Sequence, residues 1–181
     1  MHSNKGRVRI IGGAHRGRRI EVADRPGLRP TPDRVRETLF NWLGQRLDGL
    51  ACLDLFAGSG ALGFEAASRG AARVVMVEKD RGAFVSLEKI SNLLNAANVE
   101  IRLDDAFEYL ARSEERFDVV FLDPPFGQNA LAAVLERLPA RLSPDARVYL
   151  EAPDPLELPA PWRELRRARA GQVSYQLVER P

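Results

Sequence analysis

The chain has 181 residues, 45% hydrophobic and 29% charged, the balance of one soluble globular domain with a sizeable core. It holds no apolar run of about 18 residues, which excludes a membrane-spanning helix, and its opening MHSNKGRVRI is charged where a secretory leader is apolar. Net charge is only +2, but residues 1–49 hold 11 Lys and Arg against 5 Asp and Glu, residues 50–160 hold 11 against 18, and residues 161–181 hold 5 against 2.

An acidic body with basic ends fits an enzyme that meets a polyanion. Three of the 27 cations are lysines, and the arginines that make up the rest suit bidentate phosphate contacts. Cys52 is the single cysteine, so no internal disulfide or multi-cysteine zinc site is expected and a reducing, cytoplasmic setting is. Its place in an apolar run reads as a buried strand residue rather than a nucleophile.

In chain order, residues 7–11 and 18–22 read as short strands joined by the glycine-rich turn Gly12-Gly13-Ala14-His15-Arg16-Gly17. The following proline-rich stretch, with Pro26, Pro30 and Pro32, cannot be helical until it ends. Val35, Leu39, Trp42, Leu43 and Leu47 then recur at helical spacing over residues 33–47, with Arg34, Arg36 and Glu37 facing elsewhere. Thr31 is placed to cap that helix, with Pro32 at its first position. The division expected is residues 1–32, a basic hairpin and proline-rich segment, and 33–181, the catalytic domain.

From residue 51, strands and helices alternate. Strands are expected at 51–56, 73–78, 99–103, 117–122 and 147–151, and helices at 61–69, 80–94, 106–112 and 130–138. Residues 163–170 and 172–179 form a closing hairpin around Gly171. This is an α/β fold: a mostly parallel sheet covered on both faces, ending in an antiparallel hairpin.

Gly58, Gly60 and Gly63 spell G-x-G-x-x-G between a strand and a helix, and Glu78 ends the next strand 18 residues after Gly60. Alone this spacing also suits a nicotinamide or flavin enzyme. Two features favour S-adenosylmethionine instead. Asp54, at the strand end, would repel a pyrophosphate but suits an ammonium group, and the chain lacks a second domain for a redox substrate. Phe56, Ala57, Gly58 and Gly60 then form the loop under the cofactor, Glu78 takes the ribose hydroxyls with Lys79 beside it, and Asp105 with Ala106 meets the adenine. Asp105 is preferred over Asp104, which is free to cap the following helix.

The strand over 117–122 runs into Asp123-Pro124-Pro125-Phe126, at the end of an open sheet where ligands bind. The prolines hold the backbone extended. A heteroaromatic amino group is a poor nucleophile because its lone pair is delocalised. The Asp123 carboxylate and the Pro124 carbonyl can each accept one of its N–H groups and aim the lone pair at a methyl sulfonium. Phe126 offers a ring for base stacking, worth about 1–3 kcal/mol.

Asp123-Pro124-Pro125-Phe126 resembles the motif of amino methyltransferases that act on adenine N6 or guanine N2. RIIGGAHRGRRIEV, LRPTPDRVRETLFNWL, CLDLFAGSGALGFEA and FLDPPF together are similar to the RsmD family of bacterial 16S ribosomal RNA guanine-N2 methyltransferases, from Arg7 to about Tyr175. The resemblance implies a class I methyltransferase fold of seven strands with an added N-terminal β-hairpin. It also implies a 16S RNA guanine as target, met in the small ribosomal subunit, with S-adenosylmethionine as methyl donor; no metal is expected, since the chemistry needs none and the chain has two histidines, and the enzyme is expected to be a monomer. Arg7, Arg9, Arg16, Arg18 and Arg19 then contact phosphates around a turn whose glycines permit close approach. The segment from Arg29 to Arg34 closes over the methionine end of the cofactor, with Thr31, Arg34 and Arg36 as the candidate contacts, Thr31 foremost. Two rivals stand beside this reading: an adenine-N6 methyltransferase acting on DNA or RNA, for whose DNA form 181 residues leave no target-recognition domain, and an inactive RNA-binding relative.

Overall fold

The computed structural model describes residues 6–22, 31–125 and 128–180, with Gln128 described by its backbone alone. The elements are β1 (Gly6–Arg9), β2 (Arg19–Val22), α1 (Asp33–Trp42), β3 (Ala51–Asp54), α2 (Ala61–Ser68), β4 (Arg73–Glu78), α3 (Arg81–Leu94), β5 (Val99–Leu103), α4 (Ala106–Arg112), β6 (Phe117–Leu122), α5 (Gln128–Arg137), a 3-10 turn (Leu138–Arg141), β7 (Leu142–Ala152), β8 (Arg163–Ala170) and β9 (Val173–Glu179). No helix among the described residues is long and apolar enough to cross a membrane.

Seven strands form one sheet in the order β5-β4-β3-β6-β7-β9-β8. β3 pairs in parallel with both β4 and β6, so the chain reverses its direction of winding there and opens a crevice beyond the carboxyl ends of those strands. β9 is antiparallel to β7 and to β8, the expected hairpin ending. The central strands are buried on both faces, as strands between two helix layers must be. One core, with Phe40, Phe64, Met76 and Phe121, lies under α1, α2 and α3; the other, with Leu53, Val120, Leu135 and Trp162, lies under α4 and α5.

β1 and β2 form a separate antiparallel ribbon. Its apolar face (Val8, Ile10, Ile20, Val22) joins the first core, and its turn is fastened to α2. Glu65 accepts from the N–H groups of Ile11 (2.9 Å) and Gly12 (2.8 Å), and the Ala14 N–H caps the Ser68 carbonyl at 2.7 Å. Gly13 has φ +76°, and a Cβ there would stand 1.7 Å from that carbonyl oxygen. Gly12 and Gly13 therefore serve the approach of the turn to α2 rather than that of a phosphate backbone, while Gly17 faces open space.

Four local expectations are also corrected. Thr31 does not cap α1: Pro32 holds the cap position and no side chain caps the helix. The helix stops at Trp42 rather than Leu47, because Gly44 (φ +89°) and Gln45 (φ +67°) turn the chain, and Leu47 is buried from a loop. Arg36 does not face solvent: it is 1% exposed and donates to Glu65, Asp33 and the carbonyls of Thr31 and Arg9. The strand expected at 147–151 begins earlier, at Leu142, with a register shift opposite β6.

Candidate active site

The crevice beside β3 contains a cavity of about 630 Å³. Of the residues expected to hold cofactor, Thr31, Asp54, Phe56, Ala57, Gly58, Glu78, Lys79, Asp105, Ala106 and Asp123 line it, and so does Pro125 of the catalytic tetrad. Gly60 does not. It turns the chain into α2 with φ +78°, and a Cβ on it would meet Leu87 and Phe64 at 2.6 Å. Its role is the turn and the packing beneath it. Gly63 likewise brings α2 against β4, where a Cβ would lie 2.1 Å from the Met76 methyl.

Asp54 ends β3, and its Oδ2 accepts from the Gly63 N–H at 3.0 Å, inside the first turn of α2. Burial, offset in part by that bond and added to by Glu78, pushes its pKa up to about 7. At the end of β4, Glu78 braces the glycine loop: Oε2 accepts from the Gly58 N–H and Oε1 from the Asp80 N–H, both at 2.8 Å. A carboxylate oxygen carries two lone pairs, which suits Glu78 to accept from ligand hydroxyls.

The helix cap falls to Asp105, not to Asp104 as expected. Asp105 caps α4, accepting from Phe107 N–H (2.9 Å) and Glu108 N–H (3.4 Å), while Asp104 pairs with Arg112. Both line the cavity. Of the three candidates at the methionine end, Thr31 lines it, Arg34 is exposed outside it, and Arg36 is engaged with Glu65. Phe126 and residues 25–30 lie outside the described residues. Cys52 is buried, its thiol pushed up to about 12 by desolvation, as befits a core residue.

Asp123 follows β6 directly, and Pro124 behind it is buried. Burial raises the Asp123 pKa well above the carboxylate range, then the neighbouring charges of Glu151 and Asp54 raise it further. Glu151 was missed as a site residue although its strand was foreseen. Burial raises its pKa too, against donation from the Tyr149 hydroxyl at 2.9 Å and the Thr31 hydroxyl at 3.5 Å. The rule that ligands sit at the carboxyl ends of parallel strands would have found it.

Asp54, Glu78, Asp123 and Glu151 thus converge on one cavity, and burial opposes the ionisation of Asp54, Asp123 and Glu151. Positive charge on an occupant relieves that cost. S-adenosylmethionine brings a sulfonium and an ammonium, and its ribose offers two hydroxyls to Glu78, so the residues present fit it.

Arg7, Arg9, Arg16, Arg18 and Arg19 are all exposed. Arg9 also pairs with Asp33 at 3.4 Å. The turn carrying Arg16 sits at the C-terminal end of α2, and the cofactor loop is at its N-terminal end, roughly 12 Å away along eight residues. A second cleft of about 740 Å³ lies beside this turn, lined by Arg16, Glu37, Asn41, Arg46, Asp48 and Ser68 among others, and shares no residue with the first.

A mostly parallel sheet wound outward from β3, with a glycine loop, Glu78 at the end of β4 and Asp123 and Pro125 around one crevice, has the class I methyltransferase fold. The model of the family described as "Conserved hypothetical protein 95" matches residues 8–179. Ribosomal RNA small subunit methyltransferase D of Escherichia coli (strain K12) is 46% identical over 99% of this chain and 93% of its own, and that of Haemophilus influenzae 42% over 97% and 95%. The solved structure of the Escherichia coli protein yhhF superimposes with a TM-score of 0.88 at 41% identity, covering 97% of this chain and 98% of that one. The chain belongs to this family, the RsmD methyltransferases, and is an enzyme.

Proposed function

We propose that the enzyme transfers the methyl group of S-adenosylmethionine to the exocyclic N2 of a guanine in 16S ribosomal RNA, in the small subunit and in the cytoplasm. The observation that carries this reading is Asp123 at the tip of β6, which with Pro125 lines the same cavity as Asp54 and Glu78. When bound, the cofactor supplies an electrophilic methyl carbon. Asp54 answers its ammonium, Glu78 its ribose, and Asp104 or Asp105 its adenine amino group. Asp123 and the Pro124 carbonyl accept the two hydrogens of the target amino group and direct its lone pair. The names of the relatives support ribosomal RNA as the substrate.

Guanine is favoured by the second carboxylate beside Asp123. The pairing edge of guanine presents the N1–H next to its amino group, so two adjacent acceptors match it. Adenine presents a lone pair at N1, which Glu151 repels once a cationic ligand beside it favours its ionised form. Glu151 therefore selects a base with two neighbouring donors. The exposed arginines of β1, β2 and their turn contribute phosphate contacts that position the RNA.

Mass spectrometry of 16S RNA nucleosides from cells lacking the protein tests this directly. One N2-methylguanosine is lost and returns on complementation. An unchanged N2-methylguanosine content with loss of an N6-methyladenosine would replace guanine by adenine as the target.

A further inference from the structure

We infer that the outer edge strand, β8, is a second phosphate-binding surface that holds the RNA at the catalytic end of the sheet. The inference rests on the RNA-methyltransferase reading above. β8 is the last strand of the sheet and carries Arg163, Arg166, Arg167 and Arg169, all exposed. The strand register shows where they stand. Leu122 pairs with Leu150, so the next residues, Asp123 and Glu151, share a row. Glu151 pairs with Tyr175, and Tyr175 with Ala168. Ala152, Ser174 and Arg169 make the following row, one step further toward the catalytic end. Three strand spacings separate β6 from β8, so Arg169 lies about 14 Å across the sheet from Asp123.

The four arginines are not equivalent. Arg163 pairs with Glu179 and Arg167 with Glu164. Arg166 and Arg169 donate only to main-chain carbonyls, those of Leu165 (3.0 Å) and Gly171 (3.1 Å), and neither is paired with a carboxylate among the described residues. They project to opposite faces, Arg166 beside Leu177 and Arg169 beside Ser174, so they straddle the edge. Arg169 stands at the catalytic rim, and Arg166, level with Leu177, Tyr149 and Phe121, stands two residues short of the Asp123 row; two guanidiniums without carboxylate partners there match a phosphate backbone that runs along the sheet edge to the site. By contrast, the N-terminal turn with Arg16 is fastened at the opposite end of α2.

The competing explanation is that charges on an edge strand only prevent sheet-to-sheet association. The Arg166→Gln/Arg169→Gln double variant separates the two, with Arg166→Lys/Arg169→Lys as the control that keeps charge. The probes are small ribosomal subunits and free 16S RNA, titrated across a range of salt. The Gln pair is expected to reduce the log-log salt slope by about 1.4–1.8, the value of two phosphate contacts. It is also expected to raise KM for RNA severalfold, leaving cofactor affinity and the saturated single-turnover rate at parental values, and the Lys pair recovers most of the loss. An unchanged slope and KM overturn the inference, and self-association of the Gln pair with unaltered RNA binding assigns the arginines to edge protection instead. A parent protein that methylates neither probe overturns the underlying reading and the inference together, whereas an active parent and an unaltered variant overturn the inference alone.

Discussion

Asp123 and Glu151 stand side by side at the carboxyl ends of adjacent parallel strands, and the Glu151 charge is second only to burial in raising the Asp123 pKa. The two carboxyls therefore act as a coupled pair rather than as independent acceptors. Replacing Glu151 with Gln removes that repulsion, so Asp123 ionises at lower pH. The acid limb of the rate profile should shift down, while methyl transfer at neutral pH slows by the worth of one hydrogen bond to a charged group, about 1.5–3 kcal/mol. Single-turnover rates against pH check both effects. A profile identical to that of the parent would remove Glu151 from the substrate site.

Asp54 makes cofactor binding pH-dependent. Its folded pKa, about 7, lies above its ordinary value of 3.8. Without ligand, the folded state holds a proton that the unfolded state releases, so the Asp54 contribution to stability is greatest below the unfolded value, falls as pH rises toward 7, and is level above it. A cationic ligand prefers the ionised form. S-adenosylmethionine affinity should therefore weaken as pH drops below about 7, by as much as about tenfold per unit for one proton. Calorimetry in buffers of different ionisation heat should show proton release near pH 6.5, roughly half a unit below that pKa, and Asp54→Asn should diminish it.

Glu78 acts on the loop as well as on the ligand, since it holds Gly58 and Asp80 by their N–H groups. Glu78→Ala should weaken cofactor binding by about 1.5–3 kcal/mol for each charge-assisted bond lost. Calorimetric titration of the folded variant measures it, and unchanged affinity would exclude Glu78 from the site.

The hairpin depends on a buried charge cluster. Glu65 is fully buried between Arg36 (3.1 Å) and Arg69 (2.8 Å), and the Ile11 and Gly12 N–H groups complete its shell. Removing one member of such a pair leaves an uncompensated buried charge, at a cost of about 3–5 kcal/mol. Glu65→Ala should show that loss in urea unfolding, with faster amide exchange at Ile11 and Gly12. A loss below about 1 kcal/mol would mean that apolar packing alone holds the hairpin.

Where one segment carried its own signal, it was readable in sequence. The bounds of β4, β5, α4 and β6 follow from apolar runs and the residues that end them, and the glycine loop, Glu78 and Asp123 follow from their positions at strand ends. What escaped depends on distant partners. Arg36 has the helical phase of a solvent-facing residue, but its partner Glu65 comes 29 positions later on another helix. Gly12 and Gly13 look like a loop made for a ligand until α2 is packed against them. Asp104 and Asp105 are adjacent and chemically alike, so only the backbone conformation at the start of α4 decides which one caps it.

The central claim is that Asp123 orients the target amino group during methyl transfer. Single-turnover transfer to small ribosomal subunits by the parent, Asp123→Asn and Asp123→Ala tests it most directly. An amide keeps one acceptor without the charge, and alanine keeps none. The rates should therefore fall in that order, with alanine slower by about 3 kcal/mol or more, over a hundredfold, and with cofactor affinity changed little beside that loss. An alanine variant as fast as the parent would make Asp123 structural and contradict the mechanism.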